Sequence, residues 1–228
     1  MGADGIRSKI RELKFGAAEP IYSGFAAWRY VIPRPEDVTD LNWFWGVNAT
    51  IGIVPLSPSA MYIAGTSFEP EKPKFPTKDL ARLFREKFSQ FEADVPTYLK
   101  QVVDPEKVVY TPLEEVRIRG PWYDGRIVVV GDAAHAATPF WALGVALAIE
   151  DVALLARFIA KNLDPAELLP KWFDRRYPRC VFVQDGSVET GKQMHSHTGD
   201  GPRLFPPRAR EGIRRGMEAR ALTLAEPY

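Results

Sequence analysis

One fifteen-residue segment, Gly125 to Pro139, constrains the fold of this chain more than any other. The apolar, mostly β-branched run Ile127–Val130 predicts a buried strand, which enters a tight Gly131-Asp132 turn and leads, past Pro139, into a long apolar helix. A strand that delivers a carboxylate to a turn ahead of a helix N-terminus suits a hydroxylated, anionic ligand. Asp132 is therefore the first candidate binding residue, and capping of the following turn is its alternative role.

A second motif opens the chain. The segment Gly2 to Arg11 follows the pattern Asp-Gly-x-x-Ser-x-x-Arg. Asp4-Gly5 is a turn signal, and Ser8 and Arg11 fall on one face of the helix that the turn would start. A plain N-terminal turn is the alternative interpretation of this segment taken alone.

The two motifs, in this order and at this separation, resemble those of the class A FAD-dependent aromatic monooxygenases, the family of 4-hydroxybenzoate and salicylate hydroxylases. The resemblance implies FAD as cofactor and NAD(P)H as reductant. It implies that the Asp132 carboxylate accepts hydrogen bonds from the ribityl hydroxyls, with Gly131 and Ala133 beside it. Asp4 and Arg11 are implied to lie near the FAD and the NAD(P)H pyrophosphate. The sequence assigns no catalytic residue.

The helix after the turn has an expected electrostatic role. Its N-terminal dipole would stabilise negative charge on the reduced flavin, and Pro139 and Gly144 would let the backbone approach the ring. The family usually carries a glutamine and often an asparagine here, where this chain has Leu143 and Ala146. Phe140 either packs against a substrate or fills the core.

The family's Gly-x-Gly-x-x-Gly loop, which holds the FAD pyrophosphate, is absent from the 228 residues. The chain therefore resembles the C-terminal half to two-thirds of a monooxygenase. We expect a partner chain, or a further part of the same polypeptide, to supply the N-terminal nucleotide-binding unit. A catalytically silent remnant is the alternative.

The expected fold class is α/β, or α+β in the part present: a partial FAD-binding domain of the 4-hydroxybenzoate hydroxylase type, a mostly antiparallel substrate-domain sheet, and C-terminal helices. Expected strands cover 22–32, 43–54, 60–68 and 108–116, with a hairpin between the second and third. Expected helices cover 78–99, 144–160 and a segment that begins after Asp164. The helix 144–160 is apolar on nearly all sides and is therefore expected to be buried by protein around it. Four segments are predicted. Residues 1–15 and 119–163 belong to the FAD domain, and the second of these contains the buried helix. Residues 16–118 form the substrate domain, and residues 164–228 form C-terminal helices and a basic tail.

Aromatic residues at alternate strand positions suggest a pocket for a planar ring, although most of them would serve equally as sheet core. Trp28 is the main candidate among them, and Arg29 is a possible partner for a substrate carboxylate. The expected substrate is therefore a small aromatic molecule.

Composition excludes several other classes. The formal net charge of +1 argues against a nucleic-acid or membrane-surface role, and no apolar run approaches the roughly 20 residues that span a bilayer. A single cysteine, Cys180, fits a reducing cytoplasm. Three histidines and this cysteine lack ligand spacing, so no metal is expected. His135 is expected to be a buried structural residue rather than a base, and Glu150-Asp151 to form an ion pair or a cap.

The sequence thus predicts part of an FAD-dependent, NAD(P)H-using monooxygenase that hydroxylates an aromatic or related small molecule. The alternative is a non-catalytic remnant or accessory subunit that needs a partner chain to bind FAD.

Overall fold

The computed structural model describes residues 1–16, 19–161, 164–195, 203–204, 218, 221 and 225. The described residues form two compact units. Those of Met1–Ser23, Glu114–Thr190 and Ala219–Tyr228 make up the first unit, and those of Gly24–Leu113 and Gly191–Glu218 make up the second. The four segments drawn from the sequence remain a prediction.

The α-helices and strands follow one another along the chain as short elements, apart from one long strand and two long helices. In chain order they are α1 (Lys9–Phe15), β1 (Ile21–Pro33), β2 (Asn42–Gly46), β3 (Ala49–Pro55), β4 (Ala60–Phe68), α2 (Leu80–Lys87), α3 (Val95–Leu99), β5 (Val109–Glu115), β6 (Tyr123–Asp124), β7 (Ile127–Val128), α4 (Asp132–His135), α5 (Gly144–Ile159), α6 (Pro165–His195) and β8 (Arg203–Leu204). Single 3-10 turns cover Thr77–Asp79, Pro105–Lys107 and Pro139–Trp141.

The second unit is built on a six-stranded sheet in the order β5-β1-β4-β3-β2-β8. The pairs β1–β4, β4–β3, β3–β2 and β2–β8 are antiparallel, which confirms a mostly antiparallel sheet. Aromatic side chains fill its core, where the rings of Trp28, Phe84 and Phe88 contact one another at tilted and edge-on angles. Gly65 lets Phe88 lie against the strand, because a Cβ at Gly65 would come within 2.3 Å of the Phe88 ring.

Two predicted elements of this unit are interrupted. The expected strand 43–54 is two strands, β2 and β3, joined by a turn in which Asn48 adopts φ +52°. Asn tolerates this left-handed conformation better than most residues. The expected helix 78–99 is broken between α2 and α3, where Ala93 also has positive φ. Phe88 and Phe91 remain buried across the break, so the apolar pattern reports burial rather than a continuous helix.

The first unit combines α1, α4, α5 and the larger part of α6 with short strands. Val129 pairs in parallel with Gly2, whose N–H donates to the Val128 carbonyl at 2.7 Å. The regular strand β7 covers only Ile127–Val128 of the predicted strand Ile127–Val130, but the segment through Val130 bonds to Gly2 and so brings the two sequence motifs together. The hydrophobic core of the first unit includes Trp122, Val129, Leu154 and Trp172.

Helix α5 is only partly buried by the described chain. Leu147, Asp151, Leu154 and Leu155 face the core, but three apolar side chains on another face are exposed: Val145 by 77%, Ile149 by 64% and Val152 by 42%. The described chain therefore covers one face of the helix, and burial of the other face by a further polypeptide segment stays a prediction. We call these three residues the exposed α5 face.

Helix α6 begins where the sequence predicts. The Asp164 carboxylate accepts from the Ala166 N–H at 2.8 Å, and Pro165 is the first helical residue. The helix contains Pro170 and Pro178 without ending at either. The basic tail from residue 199 lies almost wholly outside the described residues. No helix among the described residues is both long enough and apolar enough to span a membrane.

Candidate flavin site

The Gly131-Asp132 turn is held in a conformation that favours glycine. Gly131 has φ 59° and ψ −143° and lies just ahead of the four-residue helix α4. Asp132 is the first residue of that helix, and its side chain is exposed. Within the described part of the chain, no hydrogen bond or ion pair engages the Asp132 carboxylate, and α4 has no side-chain cap. The alternative role of Asp132 as a cap is therefore not the one seen in this structure.

A cavity of about 710 Å³ opens beside this turn, with a mostly apolar wall. Three of the predicted cofactor residues, Gly131, Asp132 and Gly144, line it together. The remaining lining residues come from the first motif, the strand before the turn and the α5 helix: Ala3, Gly5, Val130, Val145, Ala148, Ile149, Val152 and Ala153.

Gly131 and Gly144 of the cavity wall differ in the space around them. A Cβ at Gly131 would lie 3.0 Å from the Ala148 Cβ, and a Cβ at Gly144 would meet nothing within 4 Å. Leu143, which precedes α5, makes no side-chain cap bond among the described residues. The first backbone N–H groups of a helix lack partners within it, so those of α5 are available where Gly144 borders the cavity.

The first motif has a clear internal role. The Asp4 carboxylate accepts from the Ser8 hydroxyl at 2.5 Å and from the N–H groups of Lys9 and Ile10 at 2.7 and 3.2 Å. The Ser8 hydrogen bond, with these backbone bonds, holds the pKa of Asp4 below its ordinary value against partial desolvation. The Arg11 guanidinium donates to the Ala133 carbonyl at 3.0 Å, which ties α1 to the helix that carries Asp132. Their predicted roles in cofactor binding stay predictions.

The other predicted flavin-side residues are not among those that line the cavity. Ala133 is fully buried, and Pro139 is exposed at the start of a 3-10 turn that also contains half-buried Phe140. Leu143, which replaces the family glutamine, packs partly buried against the core, and Ala146 is exposed.

The two predicted substrate residues of the sheet, Trp28 and Arg29, have different environments. Trp28 is fully buried in the core of the second unit, and its indole N–H donates to Ser67 Oγ at 2.9 Å. Arg29 is half-buried and lines a separate surface cavity of about 260 Å³ with Tyr62 and Lys107. Trp28 thus occupies the position of a core residue, whereas Arg29 is accessible.

A buried ionic network lies behind the Gly131-Asp132 turn. Asp151 of α5 is completely buried, and its Oδ2 accepts from the Gly131 N–H at 2.9 Å and pairs with His135 Nε2 at 2.6 Å. Its Oδ1 accepts from Arg176 Nε at 2.7 Å. Arg176 also donates to Glu150 Oε2 at 2.6 Å. The expected ion pair at Glu150-Asp151 is confirmed.

The network fixes the charge of its members. Burial alone would lower the pKa of His135, but its hydrogen bond to the negatively charged Asp151 and its contact with Cys180 raise that pKa to about 10. Burial would raise the pKa of Asp151, but His135 and Arg176 hold it below its ordinary value. The pair is therefore an imidazolium and a carboxylate, with the Trp122 ring 4.7 Å from the imidazole.

The side chains of His135, Asp151 and Cys180 bring three possible metal-ligand atoms within 4.8 Å of one another. Both Asp151 oxygens already accept hydrogen bonds, one of them from the cationic Arg176. A second cation would be repelled by this guanidinium, so the donor set suits an ion-pair network better than a metal ion.

The sequence missed Arg176, the fully buried partner of Asp151. The available signal was Asp151 itself, since a carboxylate on an apolar helix face requires a cationic partner. It also missed Gln184, whose amide donates to the Val116 and Ala136 carbonyls at 2.7 and 2.9 Å. No sequence pattern indicated this role.

Comparison with known proteins identifies the family. A sequence-family model described as an FAD binding domain matches residues 1–183. The chain belongs to this family. It is 33% identical over 200 residues to the putative FAD-dependent monooxygenase YetM of Bacillus subtilis (strain 168), an alignment that covers 82% of this chain and 52% of YetM. The resemblance to the FAD-dependent aromatic monooxygenases is confirmed.

Solved structures share the fold. Klebsiella pneumoniae HpxO complexed with FAD and uric acid superimposes with a TM-score of 0.78 at 18% identity, covering 96% of this chain and 55% of HpxO. A salicylate hydroxylase substrate complex gives a TM-score of 0.77 at 19% identity, covering 99% of this chain and 61% of that protein. The chain thus spans about half the length of YetM, and slightly more of these two structures. FAD is the cofactor of the family.

Proposed function

We propose that this chain is the C-terminal part of an FAD-dependent, NAD(P)H-using monooxygenase that hydroxylates an aromatic or related small molecule. The observation that carries the proposal is the cavity beside the turn. There the Asp132 carboxylate, which no described group engages, converges with Gly131, Gly144 and the N-terminus of α5, which has no side-chain cap among the described residues. The names of the relatives, a monooxygenase and a salicylate hydroxylase, support the reaction class.

The residues present fit the hydroxylated and anionic parts of FAD. The Asp132 carboxylate can accept hydrogen bonds from ribityl hydroxyls, because no described group already occupies it. The α5 N-terminus favours negative charge in front of Gly144, and the absent Cβ atoms of Gly131 and Gly144 allow close approach. When bound, FAD supplies the redox chemistry, for which NAD(P)H is the proposed electron source. The chain's own residues bind and orient it.

A further polypeptide segment would complete the site. The exposed α5 face (Val145, Ile149 and Val152) borders the same cavity, and contiguous exposed apolar residues mark interaction surfaces. The nucleotide-binding unit with Gly-x-Gly-x-x-Gly, in the same polypeptide or in a partner chain, is the proposed occupant. It would bring the pyrophosphate loop that the 228 residues lack.

One observation favours the alternative, a non-catalytic remnant or accessory subunit. Leu143 and Ala146 stand where the resemblance implies a glutamine and an asparagine, and Leu143 packs toward the core. Two polar contacts beside the flavin would then be missing. In this case the chain would bind FAD only together with a partner, or not at all.

Flavin retention tests the proposal. The purified chain, alone and mixed with a polypeptide carrying the family's Gly-x-Gly-x-x-Gly unit, is incubated with FAD, desalted, and scanned for visible flavin absorbance. We expect stoichiometric FAD at least in the mixture, followed by NAD(P)H oxidation that aromatic acids or phenols stimulate. FAD retention without substrate-dependent oxidation would select the accessory-subunit alternative, and a colourless protein in both samples would refute FAD binding by this chain.

The contribution of Asp132 is measured by substitution. Asp132→Ala should weaken FAD binding about 10- to 100-fold, because hydrogen bonds to a charged acceptor contribute about 1.5–3 kcal/mol. Asp174→Ala removes another exposed carboxylate of the same unit and serves as the matched control. Equal affinities for the two variants would argue against a contact between Asp132 and the ribityl chain.

A further inference from the structure

We propose that Asp151 and His135 are positioning residues that clamp the Gly131–His135 segment, so that the Asp132 carboxylate is presented to the cofactor in a fixed geometry. The inference rests on the proposed role of Asp132 in FAD binding. Its basis is an arrangement in which one buried carboxylate oxygen binds both ends of the segment that carries Asp132.

The clamp is visible in the contacts of Asp151 Oδ2. This atom accepts from the Gly131 N–H at 2.9 Å, at the start of the segment, and pairs with His135 Nε2 at 2.6 Å, at its end. Within the segment, the Gly131 carbonyl accepts from the N–H groups of Ala134 and His135, both at 2.9 Å. The five residues therefore close into a small ring around Asp151, and Asp132 is the exposed one among them.

The segment needs this external support. Helix α4 is a single turn of four residues, and so short a helix is not stable by itself. Gly131 also has the largest backbone freedom of any residue type. In the described chain Asp132 makes no side-chain contact that could hold it in place, so the position of its carboxylate is set by the backbone that Asp151 binds.

Asp151 is itself immobilised from the other side. Its Oδ1 accepts from Arg176 Nε at 2.7 Å, and its backbone carbonyl accepts from the Trp172 indole N–H at 2.9 Å. Arg176 is anchored in turn by Glu150 Oε2 and the Leu147 carbonyl at 2.6 and 3.1 Å. Helices α5 and α6 thus form the fixed base of the clamp.

The neighbouring residue Glu150 provides a matched control. It belongs to the same network, through Arg176 and Arg179, but among the described residues it makes no hydrogen bond or ion pair with the Gly131–His135 segment. Asp151→Asn and Glu150→Gln each neutralise one carboxylate of adjacent residues without changing side-chain size. Both carboxylates accept from three donors, but only Asp151→Asn changes the acceptor of the Gly131–His135 segment. The amide keeps one acceptor oxygen, which we expect the cationic Arg176 to retain, so that the amide nitrogen faces the Gly131 N–H and His135 Nε2.

The experiment measures the clamp and the cofactor separately. Hydrogen–deuterium exchange of the full chain without FAD should show faster exchange at the Gly131 amide in Asp151→Asn, by about tenfold or more, with wild-type rates in Glu150→Gln. FAD titration of the same proteins, with the nucleotide-binding polypeptide present, should give a Kd raised about tenfold or more in Asp151→Asn. Glu150→Gln should stay within about threefold of wild type.

His135 variants keep the test decisive where Asp151→Asn does not fold. In His135→Gln the amide nitrogen can replace Nε2 as the donor to Asp151, whereas His135→Phe cannot donate. We expect the former to retain Gly131 protection and FAD affinity, and the latter to lose both.

The outcomes separate the two proposals. If Gly131 exchange is unchanged in Asp151→Asn or in His135→Phe, or if Glu150→Gln weakens FAD binding equally, the clamp is refuted. If wild type binds no FAD while Gly131 exchange responds as expected, the clamp stands as a structural element and the proposed function fails.

Discussion

Raising the pH should destabilise this protein through one buried pair, His135 and Asp151. The imidazole is buried and bonded to the carboxylate at 2.6 Å, and the pKa of His135 is raised from 6.5 to about 10. A histidine with a raised pKa stabilises the folded state fully below its unfolded pKa. That stability is lost as the pH rises through the folded pKa.

The magnitude follows from proton linkage. Between pH 6.5 and about 10 the folded state binds up to one proton more than the unfolded chain, so the free energy of unfolding falls by up to about 1.4 kcal/mol per pH unit. From about pH 7 to about pH 9 the two pKa values give a loss of about 2.5 kcal/mol. The other shifted groups act outside this window: burial lowers the pKa of His195, which matters below its ordinary 6.5, and raises the pKa of Tyr98 above 10.

Urea unfolding at several pH values, followed by tryptophan fluorescence, measures the effect. His135→Gln is the reference, because it removes the titrating group and retains a donor for Asp151. Wild type should lose about 2.5 kcal/mol more than His135→Gln between about pH 7 and about pH 9. Parallel pH profiles for the two proteins would refute the ion pair, and with it the reasoning that assigns a positive charge to His135.

Three further predictions concern packing and surface. Gly65→Ala should lower the free energy of unfolding, measured with urea, by about 1–3 kcal/mol, because the new Cβ would overlap the buried Phe88 ring. Gly120→Ala is the control: its Cβ meets nothing within 4 Å, so the free energy of unfolding should change by less than about 0.5 kcal/mol. Arg11→Met should cost about 3 kcal/mol in the same assay, because it leaves buried carbonyls without their charged donor; a cost below about 1 kcal/mol would contradict this role. Val145→Ser should leave stability within about 0.5 kcal/mol but weaken binding of the nucleotide-binding polypeptide in a titration; unchanged binding would exclude this residue from the interface.

Features that depend on neighbouring residues in sequence were predictable. The run from Ile127 through Asp132 encodes a strand and a turn within a few residues, and the structure has a short strand, β7, followed by the turn and by Asp132 on a cavity wall. The start of α6 was equally local, since Asp164 and Pro165 are signals of a helix N-terminus. Such elements require little knowledge of the rest of the fold.

Element interruptions were less visible, although some signals were present. Pro96 lies in the first turn of α3, a preferred place for proline, and it could have indicated that a second helix begins inside 78–99. Asn48 could likewise have divided the strand 43–54. The aromatic periodicity of Phe84, Phe88 and Phe91 concealed the helix break, because all three rings remain in the core on both sides of it.

The exposed α5 face shows a different limit. Val145, Ile149 and Val152 make the helix apolar on nearly all sides, and from sequence such a helix is expected to be buried. The described chain buries only the face that includes Leu147 and Asp151. The apolar pattern of a helix predicts that its surface is buried, but it does not predict whether this chain or another polypeptide segment buries it.

Asp132 and Asp151 have the same side chain and opposite environments, and this contrast supports the proposed cofactor role of Asp132. Asp151 is completely buried and accepts from three donors, so it is not accessible to a ligand. Asp132 is exposed beside a cavity and engages no described group. The contacts that distinguish them join residues 16 to 25 positions apart, beyond any local motif. In the proposed site the exposed Asp132 carboxylate binds the cofactor. The buried Asp151 carboxylate holds the Gly131–His135 segment and thereby positions Asp132.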